Sequence, residues 1–141
     1  MEFCKTNKKT LLFVFGFFLV SIFLLFLRFI TKIVINFFPD RIVCNYGISF
    51  GLQIPIYIFI PVWLFLIFFL LILIWRSYRD CKYFELLAYF FIVIGGINNL
   101  LDRIVYGCVI DYIKIIPWNV FNLSDVFISV GAFMIFYKLI K

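Results

Sequence analysis

The chain has 141 residues, 67% of them hydrophobic and only 14% charged, with a mean hydropathy of +1.18, far from the balance of a water-soluble domain. Its formal net charge is +6, but the cations stand in short clusters beside apolar spans, which is the positive-inside pattern of an integral membrane protein and not a nucleic-acid footprint. There is no His, which excludes Ser-His and Cys-His relays and imidazole metal sites, and Cys4, Cys44, Cys81 and Cys108 form no CxxC unit of a zinc or redox site.

Lys5, Lys8 and Lys9 precede an apolar run over 11–30, which at ~1.5 Å rise per residue matches a ~30 Å hydrocarbon core and predicts a first membrane helix. The run is too long for a secretory leader, and no small-residue cleavage site follows it. A second span is expected over 56–74, ending in the interfacial pair Trp75-Arg76. Arg76, Arg79 and Lys82 fill the short connection to a third span over 84–101, and a fourth covers 125–139, with Lys138 and Lys141 at its end. Eight basic residues fall with the two termini and the 76–82 connection, against Arg28, Lys32, Arg41, Arg103 and Lys114 on the other side. The expected architecture is therefore an all-α membrane protein, one domain over 1–141, with four transmembrane helices and both termini cytoplasmic.

The long connections 31–55 and 102–124 then face outward. Both carry Gly, Pro, Asn and charged residues, with β-prone pieces such as Arg41-Ile42-Val43-Cys44 and Ile48-Ser49-Phe50-Gly51, so a small outer-face substructure containing β strands is expected. Gly95 and Gly96 in the third span, and Gly131-Ala132 in the fourth, would let helix backbones approach closely.

Three of the seven acidic residues, Asp102, Asp111 and Asp125, lie between the third and fourth spans, where carboxylates in so apolar a chain are costly. Asp102 beside Arg103 reads as a neutralising pair at a helix end, and Asn122-Leu123-Ser124-Asp125 as an N-cap with a first-turn carboxylate. Asp111 has no such excuse, lying between Val109-Ile110 and Tyr112-Ile113 with no adjacent base. Two carboxylates converging in a partly dehydrated site share a proton, the arrangement that aspartic-type hydrolysis needs. A Ser49–Lys32 dyad is the lesser hydrolytic alternative.

Asn99-x-x-Asp102-Arg103, then Gly107-x-Val109-x-Asp111, then Phe121-Asn122-x-x-Asp125 resembles the signature of the bacterial lipoprotein signal peptidases, also called signal peptidase II. Upstream, Asn45-Tyr46-Gly47-Ile48-Ser49-Phe50 resembles that family's outer-loop motif, and Thr31-Lys32 the close of its helix-one motif, so the likeness covers nearly the whole chain. The resemblance implies an aspartic endopeptidase that removes the signal peptide of a prolipoprotein, cutting before a diacylglyceryl-modified cysteine. It implies Asp111 and Asp125 as the catalytic pair, Asn99, Asp102, Arg103 and Asn122 as supporting residues, and Asn45 and Lys32 as substrate or lipid contacts.

No metal or organic cofactor is implied. The expected partners are lipidated prolipoproteins and membrane lipids, for a monomer in a bacterial cytoplasmic membrane with its site at the outer face. Rival readings are a non-catalytic relative that binds precursors or inhibitor, and a small channel or transporter. Three residues depart from the family pattern: Arg28 where an acidic residue is usual, expected to snorkel to the interface, Asn98 where Gly is common, and Ser124 where Ala is common. Cys44 and Cys108 both fall on the outer side, where a disulfide is permitted, but free buried thiols are the expectation.

Overall fold

The computed structural model describes residues 6–47, 55–116 and 119–141. Cys4, Lys5, Ser49 of the alternative dyad, the β-prone piece at 48–51 and Trp118, whose ring the sequence would anchor at the membrane interface, lie outside the described residues. In chain order the elements are α1 (Thr6–Phe37), a 3-10 turn (Pro39–Arg41), β1 (Val43–Asn45), α2 (Ile56–Arg79), α3 (Tyr83–Tyr106), β2 (Val109–Asp111), β3 (Ile113–Ile116), β4 (Asn119–Phe121) and α4 (Leu123–Ile140). The four expected helices are present and each is longer than its apolar core predicted. Hydropathy marks the part that crosses hydrocarbon, whereas the hydrogen-bond ladder continues into the interface.

Four helices are long and apolar enough to cross a membrane. Only 11% of the spans in α1, α2 and α4 is buried, against 33% in α3, so α3 is the central helix and the others turn large apolar side chains such as Phe65, Phe68 and Phe133 outward. A surface of that kind is stable only against lipid. Ion pairs fix the alternating directions: Arg28, late in α1, pairs with Asp102, late in α3, and Glu85, early in α3, pairs with Lys138, late in α4. Ser77 of α2 donates to Glu85 at 3.1 Å, tying the same end together.

α3 and α4 pack so closely that two glycines are required. A Cβ on Gly131 would come within 2.5 Å of the Ala88 carbonyl oxygen, and one on Gly95 would strike the Ser124 carbonyl and lie 2.7 Å from Ile128 Cγ1. Gly96 does not share this role, since its nearest neighbour would be Trp63 Nε1 at 3.9 Å, and Ala132 is exposed. The sequence pattern offered both pairs; the helical phase selects one glycine from each.

Gly107, in the left-handed region at φ 78, ends α3, and its N–H donates to the Arg103 carbonyl at 3.0 Å. The chain then reverses into β2, which pairs antiparallel with β1 in the register Val43↔Asp111, Cys44↔Ile110 and Asn45↔Val109. β3 and β4 form a second antiparallel ribbon leading into α4. Cys44 and Cys108 are joined in a disulfide with their Cα atoms 5.5 Å apart, which corrects the expectation of free thiols. The pairing of β1 with β2 sets Cys44 opposite Ile110, and Cys108, one residue before β2 and 64 from Cys44 in sequence, is thereby carried alongside it.

Candidate active site

The interior of this bundle is inverted at one end. Among the most completely buried side chains are Asn98, Asn122, Thr31, Asp102, Asp111 and Ser124, whereas the apolar core cluster of Ile74, Leu86 and Val93 lies on α2 and α3 toward the Glu85 end. Buried polar groups are costly unless partnered: Thr31 donates to the Leu27 carbonyl at 3.1 Å, Asn98 Oδ1 is left without a partner among the described residues, and the others are hydrogen-bonded within the cluster.

Asn122 is its hub. As the N-cap of α4 its Oδ1 accepts the Asp125 backbone N–H at 3.1 Å, while Asp125 Oδ2 accepts the Asn122 backbone N–H at 3.2 Å, a reciprocal capping box. The capping reading of Asp125 and the resemblance reading therefore do not compete: the cap is what orients the carboxylate. Asn122 Nδ2 donates to Asp111 Oδ1 at 2.9 Å and to Asn99 Oδ1 at 3.1 Å, spending both of its hydrogens. Asn99 Nδ2 in turn donates to Asp125 Oδ1 at 2.8 Å. From β1, Asn45 Nδ2 donates to Asp111 Oδ2 at 3.0 Å, and its own Oδ1 accepts the Gly47 N–H at 3.0 Å. Asp111 and Asp125, fourteen positions apart on a strand and a helix, thus share one hydrogen-bonding side chain.

Burial pushes the Asp111 carboxyl from 3.8 up to about 6; the Asn45 hydrogen bond opposes this, and the charge of Asp125 adds to it. Tyr112, whose hydroxyl accepts the Leu123 N–H at 3.4 Å, is also pushed up, by burial first and then by the three nearby carboxylates against that hydrogen bond.

Asp102 is 1% exposed and does not pair with its neighbour Arg103, as the sequence suggested; its ion-pair partner is Arg28 of α1. One helical step turns Arg103 to another face, where Nη2 donates to the Gly47 carbonyl at 2.8 Å, Nη1 donates to the Asn99 carbonyl at 3.4 Å, and the guanidinium lies 4.7 Å from the Phe59 ring centroid. Arg28 reaches inward and does not snorkel. Asn98 and Ser124 meet each other, Asn98 Nδ2 donating to Ser124 Oγ at 2.7 Å, one residue before the Asn99–Asp125 bond on both helices. Lys32 is exposed on α1 and forms no ion pair with the cluster among the described residues.

A cavity of about 500 Å³ opens between α2, α3 and α4. Asp125, Asn99 and Arg103 give it one polar wall; Phe59, Trp63 and Ile128 are among its apolar lining. Sequence reasoning missed Phe59 and Trp63, which carry no signal beyond apolar residues in a span. Among the described residues no group of His, Cys, Asp and Glu is placed to hold a metal ion.

The family profile described as Signal peptidase (SPase) II matches residues 10–141. This chain belongs to the signal peptidase II family. A relative named lipoprotein signal peptidase from Clostridium novyi is 32% identical over 115 residues, covering 78% of each chain. Relatives of the same name from Sinorhizobium fredii and Caldicellulosiruptor bescii are 38% and 42% identical over 94 and 84 residues, or 62% and 59% of this chain. The chain spans about half the length of these last two, 56% and 53%. Two solved structures described as a bacterial membrane enzyme, at 2.3 Å and 1.9 Å by the in meso method, match with TM-scores of 0.70 and 0.68. Each is 18% identical over 89% of this chain, covering 87% and 92% of the solved chain respectively. This signal peptidase II member therefore shares their fold, a multi-pass bundle of four apolar helices with small antiparallel ribbons.

Proposed function

We propose that this chain is a membrane aspartic endopeptidase that removes signal peptides from prolipoproteins, cutting before the diacylglyceryl-modified cysteine, with Asp111 and Asp125 as its catalytic pair. The observation that carries the reading is the single Asn122 side chain that caps Asp125 and donates to Asp111. It holds two carboxyl groups in fixed relation within a buried, water-poor site. The raised Asp111 carboxyl is where the shared proton rests. Asp125, which faces the cavity, takes a proton from water as that water attacks the scissile carbonyl carbon. Asp111 gives its proton to the carbonyl oxygen, and the resulting diol collapses as Asp125 protonates the leaving amine and Asp111 takes back a proton from a diol hydroxyl, restoring both groups.

Asn99, Asn122 and Asn45 hold the pair. Arg103, whose charge acts on all three carboxylates, offsets their mutual repulsion and stands at the cavity wall. Asp102 supports β2, and Lys32, exposed on α1, contacts lipid or the substrate headgroup. The cavity's apolar wall accepts the residues before the cut, and its polar wall the peptide itself. The protein works as a single domain and a monomer in a bacterial cytoplasmic membrane. Its termini are cytoplasmic and the site is at the outer face, where a lipidated cysteine beside a signal helix comes to rest. The channel alternative would spread carboxylates through the membrane depth, whereas these three gather at one end of the bundle.

The test uses a diacylglyceryl-modified precursor peptide with the wild-type chain and with Asp111→Asn and Asp125→Asn, near-isosteric changes expected to abolish cleavage while the protein still inserts and folds. Cleavage surviving both single changes refutes the dyad. Precursor binding without cleavage by the wild-type chain would identify a non-catalytic relative.

A further inference from the structure

We propose that Arg28 is a positioning residue of the dyad, acting on Asp111 through Asp102; the inference rests on the reading of Asp111 as catalytic. Arg28 Nη1 donates to Asp102 Oδ1, joining α1 to α3. The other carboxylate oxygen, Asp102 Oδ2, accepts the backbone N–H of Ile110 at 3.3 Å. Ile110 is the residue immediately before Asp111 on β2, opposite Cys44 in the ribbon. One buried carboxylate therefore sets the height of β2 against α3, at the point where Asn122 and Asn45 must meet Asp111 at 2.9 and 3.0 Å.

A carboxylate 1% exposed holds its charge and its orientation only beside a counter-charge. Arg103, adjacent in sequence, is turned toward the Gly47 and Asn99 carbonyls, so the ion pair falls to Arg28. The Arg28 guanidinium also lies over the Tyr106 ring, 5.5 Å from its centroid, which holds it on the α3 side. Removing Arg28 leaves the buried Asp102 carboxylate without its ion-pair partner and free to turn away, which loosens the Ile110 N–H and lets Asp111 drift from its two amide partners.

The experiment compares Arg28→Lys, Arg28→Met, Asp102→Asn and the double variant Arg28→Met/Asp102→Asn in the full chain, with a lipidated precursor peptide as probe. Arg28→Met is expected to lower kcat about tenfold or more with KM within about twofold, because the group acts on the dyad and touches no substrate. Arg28→Lys retains most of the activity. The double variant recovers several-fold over Arg28→Met, since an Asn at 102 still accepts the Ile110 N–H and needs no counter-charge.

Hydrogen exchange at the Ile110 amide supplies a readout independent of turnover: faster in Arg28→Met, protected again in the double variant. If Arg28→Met does not accumulate in the membrane, Arg28→Lys against the double variant carries the comparison. A raised KM with unchanged kcat would make Arg28 a substrate contact and overturn the proposal, as would wild-type kcat in Arg28→Met or a double variant no faster than Arg28→Met. An inactive wild-type chain defeats the endopeptidase reading itself, whereas an active wild type with an indifferent Arg28 defeats only this inference.

Discussion

Gly95→Ala adds one methyl at the tightest point between α3 and α4, and its consequence can be worked from distances. The new Cβ would lie 2.7 Å from Ile128 Cγ1 and closer still to the Ser124 carbonyl oxygen. Ile128 can rotate, but the carbonyl belongs to the first turn of α4 and cannot. Restoring ordinary contact near 3.4 Å to that carbonyl requires the helices to part by about 1 Å. One turn along α3, Asn99 donates to Asp125 at 2.8 Å and Asn98 to Ser124 at 2.7 Å. The same displacement takes both to about 3.7–3.8 Å, beyond hydrogen bonding. Displacements of that size at a catalytic group cost on the order of 10²-fold in rate, so cleavage of a lipidated precursor by Gly95→Ala is expected to fall by about two orders of magnitude, with a lowered Tm. Gly96→Ala is the control, because its Cβ meets nothing closer than Trp63 Nε1 at 3.9 Å. Near-wild-type turnover by Gly95→Ala, or equal losses in both variants, would refute the close-packing argument.

Two further outcomes are expected. Because the Asp111 carboxyl is pushed from 3.8 to about 6, the folded protein holds a proton that the unfolded chain releases between those pH values. Stability therefore falls as pH rises through about 4 to 6, by about 3 kcal/mol in all, and the loss persists at higher pH. Asp111→Asn should flatten that slope in a Tm against pH series, and wild-type kcat/KM should decline above about pH 6; an unchanged slope in Asp111→Asn contradicts the assignment. The Cys44–Cys108 bond closes a segment with a sequence separation of 64, worth at most about 4 kcal/mol in the chain-entropy description. Dithiothreitol should lower the Tm of the wild-type chain and leave Cys44→Ser/Cys108→Ser unmoved, with activity falling in step as β1 loosens Asn45 from Asp111; a Tm indifferent to reductant would show that the strand pairing alone holds the ribbon.

The amino-acid sequence by itself determined the four spans, since lengths of apolar residue flanked by cations leave few alternatives in a bilayer. It also marked Asn99, Asp102, Arg103, Asp111, Asn122 and Asp125 as a polar group in an apolar chain. It could not assign partners within that group. Asp102 and Arg103 are neighbours in the chain, yet a helix turns successive residues about 100° apart, so they answer to different elements: Arg28 on α1 and Gly47 beyond β1.

The same holds for Cys44 with Cys108, Asn45 with Asp111, and Asn98 with Ser124, each joining segments far apart in sequence. Asn122-x-x-Asp125 was legible as a cap because capping is a local hydrogen bond. That the same asparagine also reaches Asp111 depends on where β2 runs. Tertiary structure alone decided that, through the Gly107 reversal, the β1–β2 register and the close crossing of α3 on α4, because those contacts arise between surfaces that no single stretch of chain contains.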